Sequence, residues 1–174
     1  MHLEIQVGNT LSDLQKQALG ELTKAVYPPT TAPKNTLQWA SASFSVLIWD
    51  NQHLVSHVGA LVRAGTFNGE AVSIGGIGQV KTHPDARGQG YASQGINAAT
   101  RYLREQFAVD FLLLVCRESL LRYYERLGWH HFQGDVWVDQ PSGKEKFIFN
   151  EPMCLPGKQE VPQNGMIDLC GLPW

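Results

Sequence analysis

In the stretch Arg87-Gly88-Gln89-Gly90-Tyr91-Ala92-Ser93, two glycines stand directly ahead of a segment with helical spacing. Glycines in that place leave backbone N–H groups uncovered at a helix N-terminus. Unsatisfied amides and the positive end of the helix dipole attract phosphate there, and the missing Cβ atoms let a pyrophosphate approach the backbone. Arg87 and Lys81 add positive charge nearby. Neither common nucleotide motif fits, because no Lys-Ser or Lys-Thr pair follows the glycines and the three-glycine spacing of a dinucleotide fingerprint is missing.

Other reactive side chains are scattered. Cys116, Cys154 and Cys170 are odd in number and widely spaced, without a Cys-x-x-Cys pair or a His at ligand spacing, so they read as reduced thiols and not as metal ligands. Cys116 ends the apolar run Phe111-Leu112-Leu113-Leu114-Val115, where it reads as a small buried hydrophobe, with a nucleophilic role as the minor alternative. His57, His83 and His130 are single histidines, whose ordinary role is on a surface or in structure.

These residues need elements to position them. Residues 3–7 alternate like a half-buried strand, and Ser12 is a suitable cap for a helix over 12–26 that buries Leu14, Ala18, Leu19, Leu22 and Val26 and stops at Tyr27-Pro28-Pro29. Residues 28–38 read as a loop, either a plain connector or one wall of a substrate cleft. Residues 44–49 and 54–62 form a hairpin around Asp50-Asn51-Gln52, and a third strand runs over 71–82. That strand carries Gly75-Gly76-Ile77-Gly78, which marks a bulge, a bend or close approach by another backbone or a ligand. A helix over 91–107 then presents Ile96, Ala99, Tyr102 and Leu103 to a core, a buried strand covers 111–115, and a short helix over 119–127 closes at Gly128. Strand-like alternation returns through Val136-Trp137-Val138, and Phe147-Ile148-Phe149 suggests a last strand. From residue 151 the chain is rich in Pro and Gly, which predicts a tail packed on the domain, with Trp174 docked in a groove. The order of elements implies an α+β, or mixed α/β, fold in a single domain spanning residues 1–174.

With these elements in place, the turn resembles the cofactor motif of the GNAT acyltransferase superfamily, Arg/Gln-x-x-Gly-x-Gly/Ala, through Arg87, Gly90 and Ala92. Val80-Lys81-Thr82-His83-Pro84-Asp85 is similar to the end of the family's fourth strand. Tyr123-Tyr124-Glu125-Arg126-Leu127-Gly128-Trp129 resembles its Tyr-x-x-x-Gly-Phe/Trp signature. The resemblance covers about residues 44–129 and implies a central, mostly antiparallel sheet flanked by helices, with a V-shaped splay between the central strands. It implies acetyl-CoA, or another acyl-CoA, as cofactor. Backbone groups of Val80, Lys81 and Thr82 would pair with the pantetheine arm, and amides of Arg87, Gly88, Gln89, Gly90, Tyr91, Ala92 and Ser93 would hold the pyrophosphate. Tyr124 matches the tyrosine that protonates the departing thiolate, with Tyr123 as its understudy; the structural alternative is a tyrosine packed in the core.

Two positions depart from the family pattern. Arg117 stands where many relatives carry Asn, and is free to pair with Glu118 or face solvent. Gly78 and Gln79 stand where many relatives place Glu or Asp, so the base would be a water relay to a carboxylate, to His57, His83 or His130, or to the carboxylate of Trp174 if the tail folds across the cleft. Within the superfamily the chain resembles the aminoglycoside 2′-N-acetyltransferase and nodulation N-acyltransferase branch, which implies a small-molecule amine such as an amino sugar as acceptor. A CoA-binding module without catalysis and a protein N-acetyltransferase are the alternatives.

Composition sets the remaining bounds. With 14 Lys and Arg against 16 Asp and Glu, the formal charge is −2, which offers no attraction for a nucleic-acid backbone. An apolar share of 43% and a charged share of 17% suit a globular protein, and no run is long enough for a membrane span. The N-terminus carries no export signal, so a cytoplasmic enzyme is expected. Pairing into a homodimer through an exposed strand edge stays open at this level.

Overall fold

The structure, a computed structural model, describes residues 1–27 and 37–174. The expected loop over 28–38 therefore lies, apart from Leu37 and Gln38, outside the described residues. In chain order the elements are β1 (His2–Val7), α1 (Asp13–Val26), β2 (Phe44–Asp50), β3 (His53–Phe67), β4 (Glu70–Thr82), α2 (Tyr91–Phe107) and β5 (Phe111–Cys116), then α3 (Leu121–Glu125), β6 (His130–His131), β7 (Asp135–Gln140), β8 (Gly143–Lys146), β9 (Glu151–Pro156) and β10 (Met166–Asp168).

Local chemistry explains most boundaries. Ser12 caps α1 through a capping box, its Oγ accepting from Gln15 N at 3.2 Å while Gln15 Oε1 accepts from Ser12 N at 2.8 Å. Of the expected α1 core positions, Leu22 is buried and Ala18, Leu19 and Val26 pack partly buried against its cluster, but Leu14 is 78% exposed. Asn51 and Gln52 both have positive φ, 45° and 70°, as a two-residue hairpin between β2 and β3 requires. In α2, Ile96, Ala99 and Leu103 are fully buried and Tyr102 is half-buried against Phe44.

The strands join one mixed sheet in the order β6-β9-β5-β4-β3-β10-β7-β8, with β2 and β1 attached to β3. Among the described residues, only β4–β5 and β7–β10 pair in parallel. The long β3 changes neighbours along its length, pairing with β2 over Phe44↔Ala60 to Asp50↔His53 and with β10 at Thr66 and Phe67. One face of the sheet packs on α2 through Val58, Ile77, Leu112 and Leu114; the other holds Leu61, Ile74, Phe111 and Leu113 against residues of β7 and β10. This is the expected α/β arrangement with a mostly antiparallel sheet.

The splay appears in the register of β4 and β5. They pair only over Ile74↔Phe111 to Ile77↔Leu114, and β4 then continues to Thr82 with β3 as its sole ladder partner.

Two expectations near the C-terminus are corrected. Phe147-Ile148-Phe149 is not a strand: β8 ends at Lys146, Phe147 turns inward with its N–H on Val136 O at 2.7 Å, and Ile148 is 85% exposed. These residues lose the ladder because the short β7–β8 hairpin has no partner beyond that point; Phe147 and Phe149 instead meet the edge of Trp39. Residues 151–174, read as an irregular tail, contribute two strands. Pro152 and Pro156 obscure β9, yet Met153, Cys154 and Leu155 are buried and the whole strand pairs antiparallel with β5.

The end of the tail crosses the sheet, as docking in a groove requires. The Trp174 indole lies on Gly76 so closely that a Cβ there would sit 2.4 Å from Cε2, and Trp174 Nε1 donates to Leu113 O at 3.2 Å. Arg63 stacks behind the ring at 5.3 Å and donates to Leu172 O, while Ala40 N donates to Pro173 O at 2.7 Å. The glycines of β4 thus answer to close approach by a side chain from the far end of the sequence. Gly76→Leu is expected to expel the indole and lower the unfolding free energy by about 1–3 kcal/mol. In a Trp174→Ala background the same substitution should cost clearly less, as measured by urea unfolding of the double-mutant cycle.

Candidate active site

Where β4 leaves β5, a cleft of about 790 Å3 opens between the end of β4, the N-terminus of α2 and α3. Gly90 caps α2 with φ of 80° and Gly88 has φ of 78°, a conformation that side chains resist. A Cβ at Gly88 would meet no atom within 4 Å and one at Gly90 only Gln94 Nε2 at 3.9 Å, so both would project into open space. No side chain caps α2 and no acidic residue sits in its first turn. Its leading N–H groups are therefore left for an anion, as the spacing of the glycines predicted.

Of the residues singled out in the sequence, Val80, Thr82, Arg87, Gly88, Gly90, Tyr91, Ala92 and Ser93 line this cleft together with Tyr124. Strand alternation turns the Lys81 side chain the other way, where its Nζ donates to Thr23 Oγ1 of α1 at 3.1 Å and burial lowers its pKa. The Gln89 side chain faces a neighbouring cleft beside the β2–β3 turn. For both residues only backbone groups remain to serve the main cleft.

Tyr124 is 5% exposed, with its ring 5.0 Å from that of Tyr123 and 6.4 Å from that of Trp129. Burial, with Cys116 next in effect, raises its pKa, so the phenol holds its proton at neutral pH. It therefore combines the packed position with a place on the cleft. Tyr123 is tied to the turn instead, its hydroxyl 3.1 Å from Ser93 Oγ. Arg117 was left out of the cofactor set, yet it lines the cleft and stays exposed, and among the described residues no ion pair joins it to Glu118. A long cation at the end of β5 was the only signal for it. The Cys116 thiol, buried beside Glu151, is pushed up to about 11, which keeps it protonated and unsuited to nucleophilic attack.

The candidate bases separate. His83 is partly exposed, accepts from Asp85 N at 3.3 Å and faces the neighbouring cleft; His130 is exposed in β6. His57 is 1% exposed and sits behind β4, its Nδ1 3.0 Å from Gln79 O and its Nε2 3.2 Å from Ser45 Oγ. Since a carbonyl only accepts, Nδ1 carries the proton and Nε2 accepts from the serine hydroxyl. Burial, together with the Lys81 charge, lowers the His57 pKa to about 4.

On the face away from α2, the Trp174 main chain lies against Gly78, with its carbonyl carbon 3.1 Å from where a Cβ would stand. Trp174, Ala42 and Gln79 close a hollow of about 10 Å3 there, room for about one water molecule. The sequence raised the Trp174 carboxylate as a base if the tail folds across the cleft; the tail instead packs on the face of the sheet away from α2, with the end of its main chain at Gly78.

A splayed mixed sheet with an anion-binding helix N-terminus at the mouth of the splay defines an acyl-CoA-dependent N-acyltransferase. The family described as acetyltransferase (GNAT) domain matches residues 10–132, and the chain belongs to it. No curated protein sequence matches significantly. Among solved structures, a GNAT family acetyltransferase from Brucella melitensis in complex with acetyl-CoA is similar at 17% identity and a TM-score of 0.60, covering 95% of this chain and 94% of that one. ElaA from Escherichia coli is similar at 17% identity and a TM-score of 0.60, covering 91% and 99%. The ribosomal-protein-S18-alanine N-acetyltransferase from Escherichia coli is similar at 14% identity and a TM-score of 0.57, covering 91% and 96%. At these identities the structural likeness speaks for the fold. Among the described residues, no helix is long and apolar enough to cross a membrane.

His57 gives the fold an acid-sensitive point. Its unfolded pKa of 6.5 exceeds its folded value of about 4, so the unfolded chain binds the extra proton between these values. Stability is therefore complete above about pH 6.5 and falls on acidification toward about pH 4, by on the order of 3 kcal/mol for this group. Urea unfolding across that window is expected to show a shallower pH slope in His57→Gln than in the native protein.

Proposed function

We propose that this enzyme transfers an acetyl group from acetyl-CoA to a primary amine of a small molecule, an amino sugar being one such acceptor, with Tyr124 as general acid. The observation that carries this reading is the cleft that open Gly88 and Gly90 positions, uncapped α2 amides and the protonated Tyr124 phenol line together. The residues fit the cofactor: the glycine turn offers amides and no Cβ or acidic group to oppose a pyrophosphate, and Arg87 and Arg117 add charge on the same cleft.

Acetyl-CoA supplies an activated acyl carbonyl and a thiol leaving group. The amides from Gly88 to Ser93 hold the pyrophosphate, and the backbone of Val80, Lys81 and Thr82, left without β5 as partner, pairs with the pantetheine arm as an added strand would. The acceptor amine attacks the carbonyl directly, and the C–S bond breaks as the new C–N bond forms. Tyr124 gives its proton to the departing sulfur and regains one from solvent; the amine loses its surplus proton through water, since Gly76, Gly78 and Gln79 offer no base. The main contribution of the fold is to bring two substrates together in line.

Isothermal titration tests the cofactor site. Native protein is expected to bind acetyl-CoA, and Gly90→Glu, which sets a carboxylate where the pyrophosphate would lie, to bind at least about tenfold more weakly, equivalent to about 1.4 kcal/mol. Equal affinity would refute the site. Tyr124→Phe is expected to keep the affinity for acetyl-CoA while CoA release, followed with a thiol reagent over a panel of amino sugars and polyamines, slows by about 100-fold. An unchanged rate would reduce Tyr124 to packing.

A further inference from the structure

β3 and β4 fall out of step next to the cleft. His57 pairs with Lys81 and Gly59 with Gly78, so one residue of β3, Val58, faces two of β4, Gln79 and Val80. This is a β-bulge, and Gln79 takes the strained part of it with φ of 51°, a left-handed conformation at a residue that has a side chain. Something must hold such a conformation in place.

His57 supplies the hold. Its Nδ1–H donates to the Gln79 carbonyl at 3.0 Å, which fixes the tautomer, and Ser45 Oγ, at 3.2 Å, donates to Nε2 and steadies the ring. Both ring nitrogens are used, and the side chain is buried, so the imidazole has no freedom to serve as a base. Its consequence lies across the peptide bond. No peptide in the described chain is cis, and in a trans peptide the carbonyl and the following N–H point in opposite directions. With the Gln79 carbonyl drawn to His57, the Val80 N–H is turned away from it, and Val80 lines the cofactor cleft.

We infer that His57 is a positioning residue: by holding the Gln79 carbonyl it aims the Val80 N–H at the thioester oxygen of the bound acyl-CoA. The inference rests on the cofactor reading proposed above and adds to it the device that sets the amide. An aimed amide stabilises negative charge that develops on the carbonyl oxygen during attack, and needs no reorganisation to do so. The neutral state of the imidazole, secured by burial, keeps the Ser45–His57–Gln79 chain intact across the physiological range.

The test compares amide resonances of 15N-labelled protein on adding acetyl-CoA and on adding CoA, which lacks the thioester oxygen. In native protein both ligands should shift the amides of Gly88 to Ser93, while acetyl-CoA should shift Val80 clearly further than CoA does. In His57→Leu the shifts at the glycine turn should persist and the difference between the two ligands at Val80 should disappear; His57→Asn, whose side-chain N–H stands where Nδ1 does, should restore it. If the leucine variant does not fold, His57→Met, which also lacks a donor, carries the same comparison. A Val80 difference that survives in the leucine or methionine variant overturns the role of His57 while leaving the cofactor site standing. Native protein whose glycine-turn amides ignore both ligands would overturn the cofactor reading, and this inference with it.

Discussion

The parting of β4 from β5 beyond Ile77 and Leu114 governs the rest of this molecule. Two parallel strands that separate within a sheet leave unpaired backbone groups on both inner edges, and buried backbone groups must find partners. On the α2 side the gap is a cleft in which a ligand that mimics a strand can supply them. On the other face Trp174 lies at the edge of the gap, its indole on Gly76 with Nε1 donating to the carbonyl of Leu113 and its main chain at Gly78. The same separation thus creates the candidate site and requires a plug behind it.

The neighbouring elements follow from this requirement. β5, without β4 at its last two residues, Val115 and Cys116, is held over its full length by β9. β4 is steadied by its ladder with β3 and by the buried His57 at the bulge. Glycines at 76 and 78 keep the β4 surface low enough for the indole to lie flat on it, and Arg63 backs the ring from behind. A strand that elsewhere could carry acidic side chains toward an acceptor here gives that space to an aromatic ring, which changes the chemistry offered to the substrate without changing the fold.

The acceptor side also separates family from specificity. The turn before α2 has one shape suited to one class of anion, and a shape set by backbone conformation tolerates wide change elsewhere in the sequence. Proteins of 14–17% identity share the fold with this chain. The hollow beside Trp174 is built from residues far apart in sequence, among them Ala42, Gln79 and Trp174, and such a surface can vary freely between relatives.

What the sequence determined by itself was local. The glycine turn, the bounds of α2 at residues 91–107, the α1 capping box and the Asn51-Gln52 hairpin are each set by interactions between residues a few positions apart, so composition and spacing suffice to read them. The cofactor side was legible for the same reason, since the turn, the end of β4 and Tyr124 belong to two short motifs. Tertiary structure alone decided the remainder. Three aromatic or β-branched residues at 147–149 look like a strand but have no neighbour to pair with, while residues 151–156, broken by prolines, become one because β5 has a free edge. The role of His57 could not be read from a lone histidine, because it depends on a bulge formed by a strand some twenty residues away. Nor could the strand glycines name their partner: Trp174 reaches Gly76 only once β9 and β10 have carried the end of the chain back across the sheet.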